Sequence, residues 1–404
     1  MKHRPISLCI ILLTSIYLLT GCWDQREIEE RATILGLAID IADKDKQPIP
    51  LTHPEGAEVP TSEIGKLEVT AQLAVPGQIP LGPSQGGSQG TSQDRVWVVK
   101  AVGQTIDDAI QGLQQQLAHK VFFGQLQIII LSEDVASKGV GHINEFLRRR
   151  PEIRRTAWMA VNEKDAAYTM QIAPKLERVP AIYLSTMFEE AVKLGKFPEN
   201  DLGKYWVHTS NKGWDGFLPY ITTKKTDNIE ISGLAYFSGD KMAGKTKPYQ
   251  IAYFNGLTGQ NPGGAALVVK LSEDESVMVQ STKRKAKYKA SLKKGKPHFD
   301  IDVEIWGIVR ETNKQQLKLD NQRIVRKIEQ TSGEMLEKEM LKLIQETQEK
   351  KADIFGFGEY VRGDLALYWN HEIKTSEKWK EIYQEMSVDI NAKVNIQRVG
   401  MKAS

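Results

Sequence analysis

Val96-Trp97-Val98-Val99-Lys100-Ala101-Val102 is followed, after a short turn, by Thr105-Ile106-Asp107-Asp108-Ala109-Ile110. The first stretch reads as a β-strand. In the second, Thr105 is placed to cap a helix that carries Asp107 and Asp108 in its first turn, where carboxylates offset the helix dipole. Ile106, Ala109, Ile110, Leu113 and Leu117 then fall on one helical face. The alternation continues with strands at Leu126 to Leu131 and Thr156 to Val161, and helices at Val140 to Arg149 and Glu163 to Ile172. Strand and helix in regular succession predict a sheet with some parallel pairs and helices packed on it.

Upstream, Ile34 to Ile41 reads as a strand, and Leu67, Val69, Ala71, Leu73 and Val75 alternate as a half-buried strand does. Two polar stretches, 43–65 and 76–95, hold too little apolar surface to offset ordering entropy and are expected to be mobile loops. Downstream, Pro174 to Trp214 reads as helix and connection. Beyond it the pattern changes: strands at Ile229 to Phe237, Ala266 to Leu271, Val277 to Leu292 and His298 to Val309, with Lys293-Lys294-Gly295-Lys296 as a hairpin turn. A long amphipathic helix should follow, capped by Asp320, carrying Ile324, Ile328, Leu336, Met340, Leu343 and Ile344, and ended by Gly356. Helices at Glu359 to His371 and Ser376 to Glu385 lead to a last alternating strand from Val388 to Ile396. The expected fold class is α+β: mixed sheets with packed helices, an N-terminal α/β part and a C-terminal antiparallel sheet with the long helix. The expected division is a signal peptide at 1–21, an N-terminal region at 22–205 and a C-terminal α+β domain at 206–404.

The N-terminus supplies an address. Lys2 and Arg4 precede an apolar run of fourteen residues from Ile6 to Leu19, short of the ~20 that span a bilayer as a helix. Leu19-Thr20-Gly21-Cys22 closes it as a lipoprotein signal, with small residues before the cut and a thiol to be alkylated. Cys22 is therefore expected to become an N-palmitoyl, S-diacylglyceryl cysteine, since two or more chains anchor stably where one does not. The other cysteine, Cys9, lies inside the signal, so the mature chain has no pair for a disulfide. Cleavage leaves 383 residues and takes the formal charge from +3 to +1, a balance that disfavours nucleic-acid binding.

Catalytic constellations are not apparent. His53, His119, His142, His208, His298 and His371 are scattered, with no His-Glu-x-x-His pair and no Cys/His cluster. No Gly-x-Ser-x-Gly elbow or phosphate loop is present, and Phe355-Gly356-Phe357-Gly358 reads as a turn between helices with glycine in the left-handed conformation. The expectation is a non-enzyme with neither cofactor nor metal. Two basic groups are candidate interaction patches. Arg148, Arg149 and Arg154 surround Pro151 at a helix end, and Lys285, Lys287 and Lys289 share one strand face. Each has a structural alternative, dipole compensation for the first and a solvated strand edge for the second.

With these residues in view, the chain resembles the Ger(x)C family of lipoproteins, the C subunits of spore germinant receptors. The resemblance rests on Gly21-Cys22-Trp23-Asp24-Gln25-Arg26-Glu27, Ile34-Leu35-Gly36-Leu37-Ala38-Ile39-Asp40 and Phe123-Gly124-Gln125-Leu126. Asn144 to Arg154, Gly233-Leu234-Ala235-Tyr236-Phe237, Asp353 to Gly358, Trp369, Trp379 and the closing strand to Gly400 extend it over the mature chain. Arg150 before Pro151 departs from the acidic residue more usual there, and the insertion at Pro83 to Gln93 is longer than typical. The resemblance implies an elongated multi-domain body, three α/β-type domains in a row, and a non-catalytic subunit held by Cys22 on the extracytoplasmic face of the spore inner membrane. It would work beside membrane-embedded A and B subunits in response to small nutrients. The rival reading is a solute-binding lipoprotein of a transporter, which the unlike halves disfavour.

Overall fold

In the computed structural model, residues 30–399 are described, apart from 44, 47–51, 53–63, 76–95, 173–176, 178, 225–227 and 314–320. Cys22, most of the two expected loops, the Pro83 to Gln93 insertion and Asp320 therefore lie outside the described residues.

Strand β1 (Arg31–Ile41) lies inside a nine-stranded sheet, between β2 (Leu67–Ala74) and β5 (Ile128–Ser132). Its residues divide between two cores, the alternation changing phase at an irregularity between Ile34 and Gly36. Ile34, Leu37 and Ile39 enter one cluster, Leu35 and Ala38 the other, so a strand covered on both faces reads as a nearly continuous apolar run. Helices α1 (Ile106–Gln114), α2 (Glu133–Lys138) and α3 (Gly141–Arg148) cover the first face. The other is covered by α4 (Ala166–Thr169) and α5 (Pro180–Lys193). Thr105 caps α1 as expected, its hydroxyl accepting the N–H of Asp108. The expected parallel pairs are present: β1 with β5, β5 with β6 (Trp158–Asn162), and β6 with β7 (Phe217–Thr223). β3 (Val96–Gly103) joins β2, and the short β4 (Lys120–Phe122) pairs with the start of β1. The helix expected over Glu163 to Ile172 contracts to the single turn of α4, whose first N–H groups, on Ala166 and Ala167, are held by the Asp40 carboxylate.

β8 (Ile229–Ser238) is placed differently from expectation. It pairs antiparallel with β7 and β9 (Lys241–Lys245), completing the first sheet instead of opening the second. The physical reason is again parity: Ala235 and Phe237 pack into the first core, Leu234 and Tyr236 into the second. A strand buried on both faces announces itself as a strand but not which sheet it belongs to. Helix α6 (Leu202–Ser210) spans the line expected between residues 205 and 206, and the first sheet takes three further strands after it.

The second sheet has the order β10-β11-β12-β13: Ala266–Lys270, Ser276–Lys293, Lys296–Thr312 and Ser387–Val399. The long β11–β12 hairpin turns at Lys294 and Gly295, both with positive φ, 54° and 77°, the pair of conformations a two-residue hairpin needs. The C-terminal sheet departs from the antiparallel expectation at one pair, since β13 runs parallel to β12. A parallel neighbour requires a crossover. It is supplied by α8 (Gln322–Glu349), against which α7 (Gln250–Leu257) packs, and by the helical turns that follow α8. Helix α8 buries Ile328, Leu336, Met340, Leu343 and Ile344 as its spacing predicts. Its Glu337 and Glu329 carboxylates accept the N–H groups of Ala392 and Ile396, which closes the outer edge of β13. The cap is Asn321, and the helix ends seven residues before Gly356, with Lys351 taking the left-handed conformation. Gly356, φ 75°, instead starts α9 (Phe357–Asp364). The short α10 (Ala366–Tyr368), a π-turn at Trp369–Ile373 and α11 (Ser376–Glu385) complete the crossover. None of the described helices is long and apolar enough to cross a membrane.

Candidate functional site at the joint between the halves

The arginines around Pro151 are largely engaged within the molecule. Arg148 donates to the carbonyl of Trp206 and to the hydroxyls of Thr209 and Ser210, tying α3 to the end of α6. Arg150 pairs with Asp107 and lies over the rings of Phe146 and Phe123. Arg149 pairs with Glu145 within α3, and Arg154 is exposed. Together Arg149 and Arg150 border a groove of about 900 Å³ with a floor of Ile106, Ile143 and Phe146.

Lys285, Lys287 and Lys289 do share an exposed face, as their parity predicts. The register sets them opposite Glu304, Asp302 and Asp300 of β12, so the row is of mixed sign. Cross-strand pairs of opposite charge contribute roughly 0.2–1 kcal/mol each. Substituting all three lysines with glutamate is expected to lower stability by about 2 kcal/mol. It should leave sedimentation of the unlipidated protein with anionic vesicles unchanged; a loss of vesicle binding would mark the row as a lipid contact.

Two buried charged side chains that the sequence analysis did not single out bind one half to the other. Asp353, 1% exposed, follows α8. Its Oδ1 accepts from the backbone N–H groups of Phe355 (3.2 Å), Gly356 (2.9 Å) and Phe357 (3.2 Å), and its Oδ2 from Gly358 (2.9 Å) and the Trp379 indole (3.0 Å). Across the joint, the Asp353 N–H donates to Asp215 Oδ2 at 3.0 Å, and the Asp215 N–H to the Asp353 carbonyl at 2.8 Å. Asp215 Oδ1 also accepts from Gly239 N–H of the first sheet and faces Lys380 at 3.7 Å. Burial pushes the Asp353 carboxyl up to about 7, with the Asp215 charge adding to the rise against the opposing N–H groups. Asp215 is raised too, chiefly by burial. The backbones meet here: a Cβ on Gly213 would lie 2.4 Å from the Gly358 carbonyl carbon, and one on Gly358 2.5 Å from Gly213 Cα. Only glycine permits that approach.

Arg284 forms the second node. It is 2% exposed and has no carboxylate partner among the described residues; its guanidinium donates to the carbonyls of Gln260, Pro262 and Gly195 and to Ser281 Oγ. Gly195 follows α5 of the first half, so a β11 side chain reaches across the joint. Desolvation lowers its pKa to about 10. Between the nodes lies a cleft of about 520 Å³ that includes His208, Trp214, Tyr288 and Tyr360. His208 stacks on Trp214 with ring centres 4.2 Å apart, and burial lowers its pKa to about 4, which keeps the imidazole neutral. This is the geometry of a rigid coupling between two cores. Among the described residues that line the cleft, no nucleophile is paired with a base.

Residues 24–223 match the family described as spore germination protein N-terminal domain, and residues 232–400 match the spore germination B3/GerAC-like C-terminal family. The chain belongs to the Ger(x)C spore germination family. Among Ger(x)C relatives, it is 26% identical to the putative spore germination protein YfkR of Bacillus subtilis, over 98% of each chain. It is 23% identical to spore germination protein KC of the same organism, covering 99% of this chain and 97% of that one. The crystal structure of the GerBC protein has the same fold, with a TM-score of 0.53 at 17% identity over 82% of this chain and 94% of that one. The α+β class with mixed sheets is therefore that of a solved Ger(x)C structure. Several segments that carry the sequence resemblance lie in load-sharing positions: Ile34 to Asp40 form most of β1, Gly233 to Phe237 are the shared strand β8, and Asp353 to Gly358 with Trp379 build the first node.

Proposed function

We propose that this chain is a lipid-anchored, non-catalytic subunit of a nutrient germinant receptor. In this reading it is held through Cys22 on the extracytoplasmic face of the spore inner membrane and scaffolds or signals with membrane-embedded A and B subunits. The observation that carries the reading is the match to both Ger(x)C domains over nearly the whole mature length. The joint supports it: two halves tied through buried charges, Asp353 and Arg284, suit transmission of a displacement better than closure around a solute. The N-terminal and C-terminal halves act as one body, and the exposed arginines Arg149 and Arg154 are the part of their cluster offered to a partner.

Deletion tests the reading: spores lacking the chain should lose the response to at least one nutrient while vegetative growth and nutrient uptake stay normal. Unchanged germination with every nutrient, or defective uptake, would sink it. Cys22→Ala should release the protein from the membrane fraction and abolish the same response, and tagged wild-type protein should bring down its membrane neighbours where the variant does not.

A further inference from the structure

At the turn end of the second sheet, β13 brings a carboxylate distant in sequence beside two side chains that are neighbours on β12. His298 and Asp300 are two residues apart on β12 and so share a face. The parallel register sets Ser387 opposite His298 and Asp389 opposite Asp300. The His298 side chain is 5% exposed, whereas Asp300 and Asp389 are open to solvent, at 53% and 68%. His298 Nδ1 is hydrogen-bonded to Ser387 Oγ at 2.7 Å. That contact fixes the ring and turns Nε2 toward the two carboxylates, as an outer partner does for a metal-bound histidine.

Nε2 lies 3.4 Å from Asp300 Oδ1 and 3.5 Å from Asp389 Oδ2, beyond the 2.7–3.2 Å of N–H···O hydrogen bonds. These distances match the edge of a tetrahedron of ligands around one ion: bonds of about 2.1 Å place neighbouring donors about 3.4 Å apart. All three donor atoms lie within 4.8 Å of one another. The Lys293 ammonium, itself more than half exposed, approaches Asp389 to 3.6 Å, so a mobile cation already neighbours the carboxylates.

We propose that His298, Asp300 and Asp389 form a binding site for a divalent transition-metal cation of the Zn²⁺ type. One imidazole with two carboxylates suits such borderline ions, while Ca²⁺ takes six to eight oxygens and Mg²⁺ needs near-octahedral oxygen coordination. Three protein donors leave a fourth position for water or for a donor from another molecule. The site is held on strands, and the ion would tie the closing strand β13 to β12 beside the hairpin.

The test is calorimetric titration of ZnCl₂ into the full chain in detergent, carrying no histidine tag, with CaCl₂ and MgCl₂ in parallel. One Zn²⁺ should bind per chain, with no saturable binding of Ca²⁺ or Mg²⁺. Binding should weaken at least a hundredfold in His298→Gln and in Asp389→Asn. Ser387→Ala, which removes only the orienting hydroxyl, should cost about tenfold. Lys293→Gln should tighten it by removing the competing ammonium. Asp389 is exposed, so its variant is expected to fold with an unchanged circular dichroism spectrum even where His298→Gln does not. Absence of saturable Zn²⁺ binding, or binding unaltered in a folded Asp389→Asn, would overturn the site.

Discussion

Asp353→Ala is expected to destabilise the whole molecule by about 4 kcal/mol, because it strands a cluster of buried donors that no water can reach. For a chain of this size that is a fall of roughly 5 °C in the thermal midpoint. Differential scanning calorimetry should also show the single transition of the wild type splitting, since Asp353 holds the turn before α9 and Trp379 on one side and lies against Asp215 on the other. A midpoint within about 1 °C of wild type, a shift of less than about 1 kcal/mol, would mean that the node carries no load. The same carboxyl predicts a pH dependence. Its folded pKa of about 7 exceeds the ordinary 3.8, so the folded state holds the proton more tightly than the unfolded chain. The resulting stability is full below pH ~4 and lost as pH rises through ~7. Asp215, also raised, acts in the same sense. Denaturant titrations at pH 5 and pH 7 should differ by about 2 kcal/mol more in wild type than in Asp353→Asn.

Arg284→Leu should cost about 3 kcal/mol in denaturant unfolding. The leucine keeps the apolar stem but leaves the carbonyls of Gln260, Pro262 and Gly195 without their donor. Arg284→Lys should recover only part of the loss, because an ammonium cannot spread its donors as the planar guanidinium does. Neutral stability of the leucine variant would show that the burial cost of the charge equals what its hydrogen bonds return.

What could be read from the chain alone follows the range of each interaction. The β13 alternation, the Thr105 cap, the α8 face and the Gly356 turn are written within a few residues, and each is found in place, whereas β2 is a strand as expected but is buried on both faces, Thr70 and Gln72 included. Pairing is not local. Nothing in Ile229 to Phe237 tells that both faces are covered by different cores, and nothing in Val388 to Ile396 tells that the strand runs parallel to β12. The nodes were hidden for the same reason, since Asp353 meets Asp215 across 138 positions. Arg284 left a trace: in a run where Lys283, Lys285, Lys287 and Lys289 share one parity, it stands on the other. A lone arginine on the inward parity of an otherwise lysine-rich strand is a sign of a buried guanidinium. His298 and Asp300 are visible as neighbours, but Asp389 joins them only through the register of the last strand.

β1 begins nine residues after Cys22 and is clamped between β2 and β5 well inside its sheet. With the lipid anchor expected at Cys22, any pull from the bilayer enters the body through a strand with neighbours on both sides. Such a strand can slide only by shearing both ladders at once, whereas an edge strand would peel one bond at a time. A pull on a lipid at Cys22 would therefore reach the core through this central strand.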